Sequence, residues 1–294
     1  RHANLTGTPV VRPLWWEFPT DRRFADVEDR VMLGNSILVI PVFSKDDTER
    51  RVELPFARWF DFRTLAEKTC KEGTTVIDAP LSSIPVLIRG GSVVPMKMWK
   101  RRTTSLLFRD PLTLIVTMDD DQTATGDFYD DDGVGFQFAC GHYIHRRFTY
   151  TSGVLSSRPF DNKMARGKFY DDYDIKIERI KVAGLEKRPV YVRSSEGEYL
   201  EIEWREEVLT IHRLNLSVRD NWAILFEFEG EAPPDAPPDY ELNTPTDVNE
   251  EEETEDVVFD LPIRAEEPEE LVTPEPTPTQ TIQQTPTYND EREL

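Results

Sequence analysis

The stretch Pro80-Leu-Ser-Ser-Ile-Pro-Val-Leu-Ile-Arg-Gly-Gly-Ser-Val-Val-Pro95 constrains the fold more than any other part of the chain. Prolines close both ends. Between them Ile84, Val86 and Ile88 alternate with Pro85, Leu87 and Arg89, the period of a buried strand. Gly90-Gly91 follows, and a glycine pair accepts the positive φ that lets a chain reverse, returning Val93 and Val94 to the core. On this pattern Ile84 faces inward and the stretch is a structural seam of a β fold with no reactive group of its own.

The 294 residues suffice for two ordinary domains, and the net charge of −21 is unevenly spread. Residues 230–294 hold 20 acidic and 2 basic side chains, so the preceding 229 residues carry only −3. A nearly neutral body offers no field for nucleic acid. Cys70 and Cys140 are too few for a disulfide scaffold and lack metal-ligand spacing; one bridge or two buried thiols are both open. No run of about 18 apolar residues is present and no signal peptide opens the chain, so no membrane span is expected. The first residue is Arg1, not Met, and the chain reads as a piece of a longer protein.

Read in order, Val10-Val-Arg-Pro-Leu-Trp-Trp-Glu-Phe18 suits a buried strand that Pro13 makes short or places at an edge. Ser36-Ile-Leu-Val-Ile-Pro-Val-Phe43, Arg51-Val-Glu-Leu-Pro55, Arg58-Trp-Phe-Asp-Phe62 and Thr74-Thr-Val-Ile-Asp78 continue the series. After a basic stretch at 96–109, Leu112-Thr-Leu-Ile-Val-Thr-Met118 opens a second apolar series. It runs through Tyr143-Ile-His-Arg-Arg-Phe-Thr-Tyr150 and residues 175–182, 189–192, 199–204, 208–211 and 222–226, and those last five strands show no chemistry. Short strands with almost no helical period predict a mainly β chain.

Gly7-x-Pro9, Arg12-Pro-Leu-Trp15, Phe18-Pro-x-Asp21, Leu33-Gly34, Ile37-Leu-Val-Ile-Pro-Val42, Leu54-Pro55, Trp59-Phe-Asp61 and the proline-bounded seam together resemble glycoside hydrolase family 31. The resemblance covers about residues 7–226. Met98-Trp-Lys-Arg-Arg102, Asp110-Pro-Leu-Thr-Leu114, Gly126-Asp-Phe-Tyr-Asp-Asp-Asp-Gly133, Arg146-Arg-Phe148 and Ile177-Glu-Arg-Ile180 resemble its endoplasmic-reticulum branch. The resemblance implies the end of a (β/α)₈ barrel at 1–24, a proximal antiparallel β-sandwich at 25–108, a distal one at 109–229, and then a tail at 230–294. It implies a parent enzyme that hydrolyses terminal α-linked glucose, trims N-glycans in the endoplasmic-reticulum lumen, uses no cofactor and pairs with a non-catalytic beta subunit. Oligosaccharide would bind in the barrel. Retention needs two carboxyl groups about 5 Å apart, and both of the family's aspartate motifs belong upstream of Arg1, so no catalytic or substrate-binding residue is expected in this chain. Arg1-His2, near Arg12-Pro13-Leu14, falls at the end of the last barrel helix rather than in the sugar pocket.

Other candidates read as structural. Asp130, Asp131 and Asp132 before Gly133 fit a hairpin turn better than a Ca²⁺ loop, which alternates its acids and ends in Glu. His142 and His145 are three apart, on opposite faces of a strand, and His212 has no neighbour in sequence. No Gly-x-Ser-x-Gly elbow is present. Lys97, Lys100, Arg101 and Arg102 around Trp99 read as a solvated linker. Asn4-Leu-Thr6 and Asn215-Leu-Ser217 are N-glycosylation sequons. The tail, with 11 of the 22 prolines and like charges, is expected to be disordered. Its final Glu291-Arg-Glu-Leu294 loosely resembles a lumenal retention signal, with Glu where Lys or His is usual. The alternative function is a non-catalytic carbohydrate- or partner-binding β module, which a flat exposed row of Trp15, Trp16, Trp59 or Trp99 would favour.

Overall fold

A computed structural model describes residues 1–68, 73–160 and 172–237. The chain opens with one helical turn, α1 (His2–Thr6), ended by Gly7 in the left-handed region. The aromatic run that follows is not one strand. Strand β1 (Val11–Arg12) stops at Pro13, which has no N–H to continue a ladder and instead caps helix α2 (Leu14–Glu17). Leu14 is buried, while Trp15 and Trp16 are 46% and 44% exposed.

Strands β2 (Val31–Leu33), β3 (Ile37–Val39), β4 (Glu49–Glu53), β5 (Trp59–Asp61), β6 (Thr74–Asp78) and β7 (Val86–Arg89) build the proximal half. One sheet runs β1-β2-β3-β7-β5, all antiparallel, and β4 pairs with β6 as a separate ribbon. The two pack through Met32, Leu38, Trp59 and Leu87 on one side and Val52 and Ile77 on the other, with Leu14 and Phe24 closing the core. Trp59 is wholly buried because its indole N–H donates to the Pro55 carbonyl at 3.0 Å. Ile84 corrects the expectation drawn from alternation. It lies before β7 and is 58% exposed, whereas Leu87 and Ile88 are both buried because β7 is central and covered on both faces.

Gly90-Gly91 does reverse the chain, with Gly91 at φ 84°, but the chain then changes sheets. Strand β8 (Ser92–Met96) pairs antiparallel with β9 (Leu112–Thr117) and parallel with β10 (Ala124–Asp131) at Thr125. β8 therefore opens an eleven-stranded sheet completed by β11 (Tyr143–Thr151), β12 (Val154–Pro159), β13 (Lys176–Ala183), β14 (Pro189–Ser194), β15 (Ile202–Arg205), β16 (Val208–Ile211), β17 (Leu216–Ser217) and β18 (Trp222–Phe228). The order is β14-β18-β12-β11-β10-β8-β9-β13-β16-β15, with β17 on the end of β13. The expectation of a purely antiparallel sandwich is corrected, since β9–β13 is also a parallel pair. Both arms contribute to one core, Leu114, Ile180 and Leu209 from one and Phe148, Leu155 and Phe226 from the other, so the sheet folds over on itself. Gly126 permits the β8–β10 approach: a Cβ there would stand 1.9 Å from the Val93 carbonyl oxygen.

All six residues of β9 are buried, which alternation alone would not give. Leu112, Leu114 and Val116 enter the distal core, while Ile115 joins Phe60, Leu65 and Ile88 from the proximal half. Arg58 ties the same boundary. Its guanidinium donates to the carbonyls of Asp119 (3.2 Å) and Gly184 (2.9 Å), forms a fork with Glu67 at 2.9 and 2.8 Å, and lies over the Phe60 ring. The Glu67 hydrogen bonds, more than offsetting burial, hold this guanidinium protonated.

Past β18, Glu231 pairs with Lys187 and the Pro234 carbonyl accepts from Arg193. The remaining tail, Glu291–Leu294 included, and Cys70 lie outside the described residues. Cys140 is exposed rather than buried.

Two stability tests follow. Leu87→Ala should cost about 2–5 kcal/mol, whereas Ile84→Asp, in water, should change stability by no more than about 0.5 kcal/mol; denaturant melts compare them. Arg58→Ala leaves partly buried carbonyls without a donor and should cost about 1–3 kcal/mol, read as a lower midpoint in the same melts.

Candidate functional site

A group of polar and aromatic side chains lies on the β10–β11 ladder, where Asp127 faces Arg147 and Tyr129 faces His145. His145 is buried. One ring nitrogen lies 3.2 Å from Asp127 Oδ2, its ring stacks on Phe160 at 3.8 Å, and the edge of Tyr129 closes the third side. Burial alone would raise the Asp127 pKa, but the His145 hydrogen bond and the nearby Arg147 charge bring it below the ordinary value.

The three consecutive aspartates point to three different partners. Asp130 accepts the Tyr173 hydroxyl at 2.7 Å, Asp131 accepts the Tyr129 hydroxyl and the Gly133 N–H, and Asp132 accepts the N–H groups of Val134 and Gly135. They do not converge. Nor is the turn a tight hairpin, because Asp131 pairs with Tyr143 and the eleven residues between them include a short 3₁₀ turn (Gln137–Cys140). His142 precedes β11, and among the described residues no three His, Cys, Asp or Glu side chains are grouped as a metal ion requires. Arg1 sits 5.5–5.6 Å from the ring centres of Tyr129, Phe138 and Tyr143, a cation held by aromatic faces. His2 lies in α1.

The tryptophans do not form one row. Trp59 is core; Trp15 and Trp16 are tilted 52° to each other; Trp99 is half-exposed beneath Arg101, which in turn forks onto the buried Asp110 at 2.6–3.1 Å. Lys97 donates to the Phe108 carbonyl, so two cations of the basic linker hold its own fold. The sequon residues Asn4 and Asn215 are both exposed, Asn4 in α1 and Asn215 just before β17.

One surface feature has no sequence signal. Tyr191 and Tyr199, 56% and 64% exposed, meet with ring centres 5.4 Å apart at 63°. Beside them a cavity of about 440 Å³ is lined by Glu178, Arg179, Glu201, Glu203, His212, Arg213 and Leu214. His212 lies 3.1 Å from Glu203 and Arg213 lies 3.1 Å from Glu201. The His212 hydrogen bond, followed by the Arg205 charge, holds the Glu203 pKa below its ordinary value.

Residues 7–94 match the model of the glycosyl hydrolase family 31 C-terminal domain. With the motif order and the two-part β architecture, this defines the chain as the C-terminal portion of a family 31 protein. Within the family it is similar to α-glucosidases. A probable glucan 1,3-alpha-glucosidase of Arabidopsis thaliana is 44% identical over 159 residues, covering 53% of this chain and 17% of the relative. The neutral alpha-glucosidase C of Homo sapiens is 33% identical over 233 residues, covering 76% and 25%. A crystal structure of the glucosidase II alpha subunit in a Glc1Man2-bound form superposes with a TM-score of 0.69 at 30% identity, over 77% of this chain and 27% of that one. The chain thus spans about a quarter or less of these relatives' length.

Asp130 generates a pH test. Burial raises its pKa, with the Tyr173 hydrogen bond opposing, so its folded-state value lies above the unfolded one. The stability it contributes is full below about pH 3.9, the unfolded value, and is lost as pH rises through the folded value. Asp130→Asn keeps an acceptor for Tyr173 and removes the titration. Its melting temperature relative to wild type should therefore rise between acidic and neutral pH, measured by thermal scans across that range.

Proposed function

We propose that the parent of this chain is a retaining α-glucosidase that removes terminal α-linked glucose and trims N-linked glycans in the endoplasmic-reticulum lumen. One observation carries the reading: the motif order from Gly7 to Phe226 is that of the family, and about three quarters of the chain superposes on a glucosidase II alpha subunit. In this reading the catalytic aspartates lie in an upstream barrel that begins before Arg1 and ends within residues 1–24. The proximal unit, the distal unit and the acidic tail follow at 25–108, 109–229 and 230–294 in sequence, with β8, from the end of the first segment, given to the distal sheet. This chain supplies the β scaffold. Its exposed Val10, Val11, Trp15 and Trp16, beside the edge strand β1, support a role packed against a further part of the parent.

A non-catalytic beta subunit is the proposed partner. A solved glucosidase II heterodimer of catalytic subunit and regulatory-subunit binding domain, similar to this chain at 31% identity and TM-score 0.68, supports it. Exposure of Asn4 and Asn215 is compatible with both carrying glycans in that compartment. The second reading, a carbohydrate- or partner-binding module, is favoured by the exposed tyrosine pair on the distal sheet.

The purified chain should turn over a chromogenic α-glucoside no faster than buffer, while the full-length parent should release glucose with retained anomeric configuration, followed by NMR. Turnover by the chain after removal of host enzymes would overturn the assignment of the aspartates, and an inverted product would overturn the retaining mechanism.

A further inference from the structure

We propose that the distal sheet carries a second, non-catalytic binding surface for neutral oligosaccharide, built from the Tyr191–Tyr199 pair and the adjoining polar cavity. The sequence places these groups together by period. From Tyr199 to Arg205 the odd-numbered residues Tyr199, Glu201, Glu203 and Arg205 are exposed, while Leu200, Ile202 and Trp204 pack on the distal core. Alternate residues of an extended chain repeat about every 7 Å on one face, so an aromatic ring and two carboxylates stand in a line. The backbone on both sides is fixed: Leu200 N–H donates to the Val192 carbonyl and His212 N–H to the Glu201 carbonyl. The turn after β14 brings Tyr199 back against that strand, where the Arg193–Tyr199 bridge sets it beside Tyr191.

The chemistry of the surface selects its ligand. Exposed tyrosine faces take the C–H face of a pyranose and leave their hydroxyls to bond its edge. The cavity beside them offers carboxylate acceptors on Glu201 and Glu203 and donors on His212 and Arg213, above the buried Leu214. Neighbouring sugar hydroxyls ask for that pairing, since one donates while the next accepts. A strongly charged ligand fits poorly, because an anion meets the glutamates and a cation meets the arginines. The Arg213–Glu201 ion pair is solvent-exposed and contributes little to stability, and the His212–Glu203 contact is partly exposed. Sugar hydroxyls can replace such exposed contacts at small cost, in an open depression of about 440 Å³.

The glucose oligomer used as probe rests on the α-glucosidase reading, but the assay follows binding without hydrolysis, so the two can fail separately. Maltotetraose titrated into this chain, followed by saturation-transfer NMR and calorimetry, should bind with a dissociation constant of about 1 mM. Tyr191→Ala and Tyr199→Ala should each weaken binding about tenfold and Glu203→Gln about threefold, with melting temperatures unchanged because all three side chains are substantially exposed. Trp15→Ala, in the proximal half, should leave binding intact. The proposal is overturned by absence of binding at about 10 mM ligand, where such a site is nine-tenths filled, by undiminished binding in the double tyrosine variant, or by loss of binding on raising salt, which would mark an ionic contact.

Discussion

Everything in the described body depends on how the chain crosses from one sheet to the other. At Gly90 the backbone passes so close to its neighbours that a Cβ would lie 2.6 Å from the Met118 carbonyl and 2.9 Å from the Arg58 Cβ. That proximity lets Gly90 N–H donate to the Arg58 carbonyl and Gly91 N–H to the Thr117 carbonyl, one bond into each sheet. The Thr117 hydroxyl then bonds back to the Arg89 carbonyl. Arg58 adds the long-range closure, since the Gly184 carbonyl that it holds also accepts from Gln122. The apolar group of Phe60, Leu65, Ile88, Ile115, Ala183 and Val208 fills the space between. Removing water from a boundary of this kind makes the two halves mechanically one.

The sequence was most legible where local pattern and burial agree. The apolar run at 112–117 and the alternation at 143–150 are strands in the structure, with Leu114, Val116, Ile144, Phe148 and Tyr150 in the distal core. It misled at prolines. Pro13 turned a strand-like run into an edge strand and a helix, and Pro85 separated Ile84 from the buried part of the seam. Sheet membership was not legible at all: the period of two says which face a residue takes, not which partner strand it finds. The parallel pairs β8–β10 and β9–β13 join segments whose contact is set by the folded whole.

The same distinction separates the two groups of side chains on the surface. The acidic run at 130–132 was visible as a motif, but its carboxylates are each occupied by a hydroxyl or backbone N–H, which makes them parts of the fold. Tyr191 and Tyr199 carried no local signal, being eight positions apart with only Tyr191 on a strand, and the Arg193–Tyr199 bridge produces their shared exposed face. Both side chains are more than half exposed, and Glu201, Glu203 and Arg213 of the neighbouring cavity are exposed with them. Family membership accounts for the scaffold through its glycines, prolines and apolar blocks.

The position of β8 also bears on how such a chain is made. It leaves the ribosome directly after the proximal strands, yet both of its partners, β9 and β10, come later, and β9 itself stays open on one edge until β13 emerges. During that interval a strand containing Val93 and Val94 presents unpaired N–H and C=O groups, the form in which strands from separate chains join. Pro95, within β8, and the cationic stretch at 97–102 immediately after it stand where neighbouring nascent strands would otherwise add on. In the folded chain that edge is closed, with Val93 and Val94 paired to β9 and Ser92 set against β10.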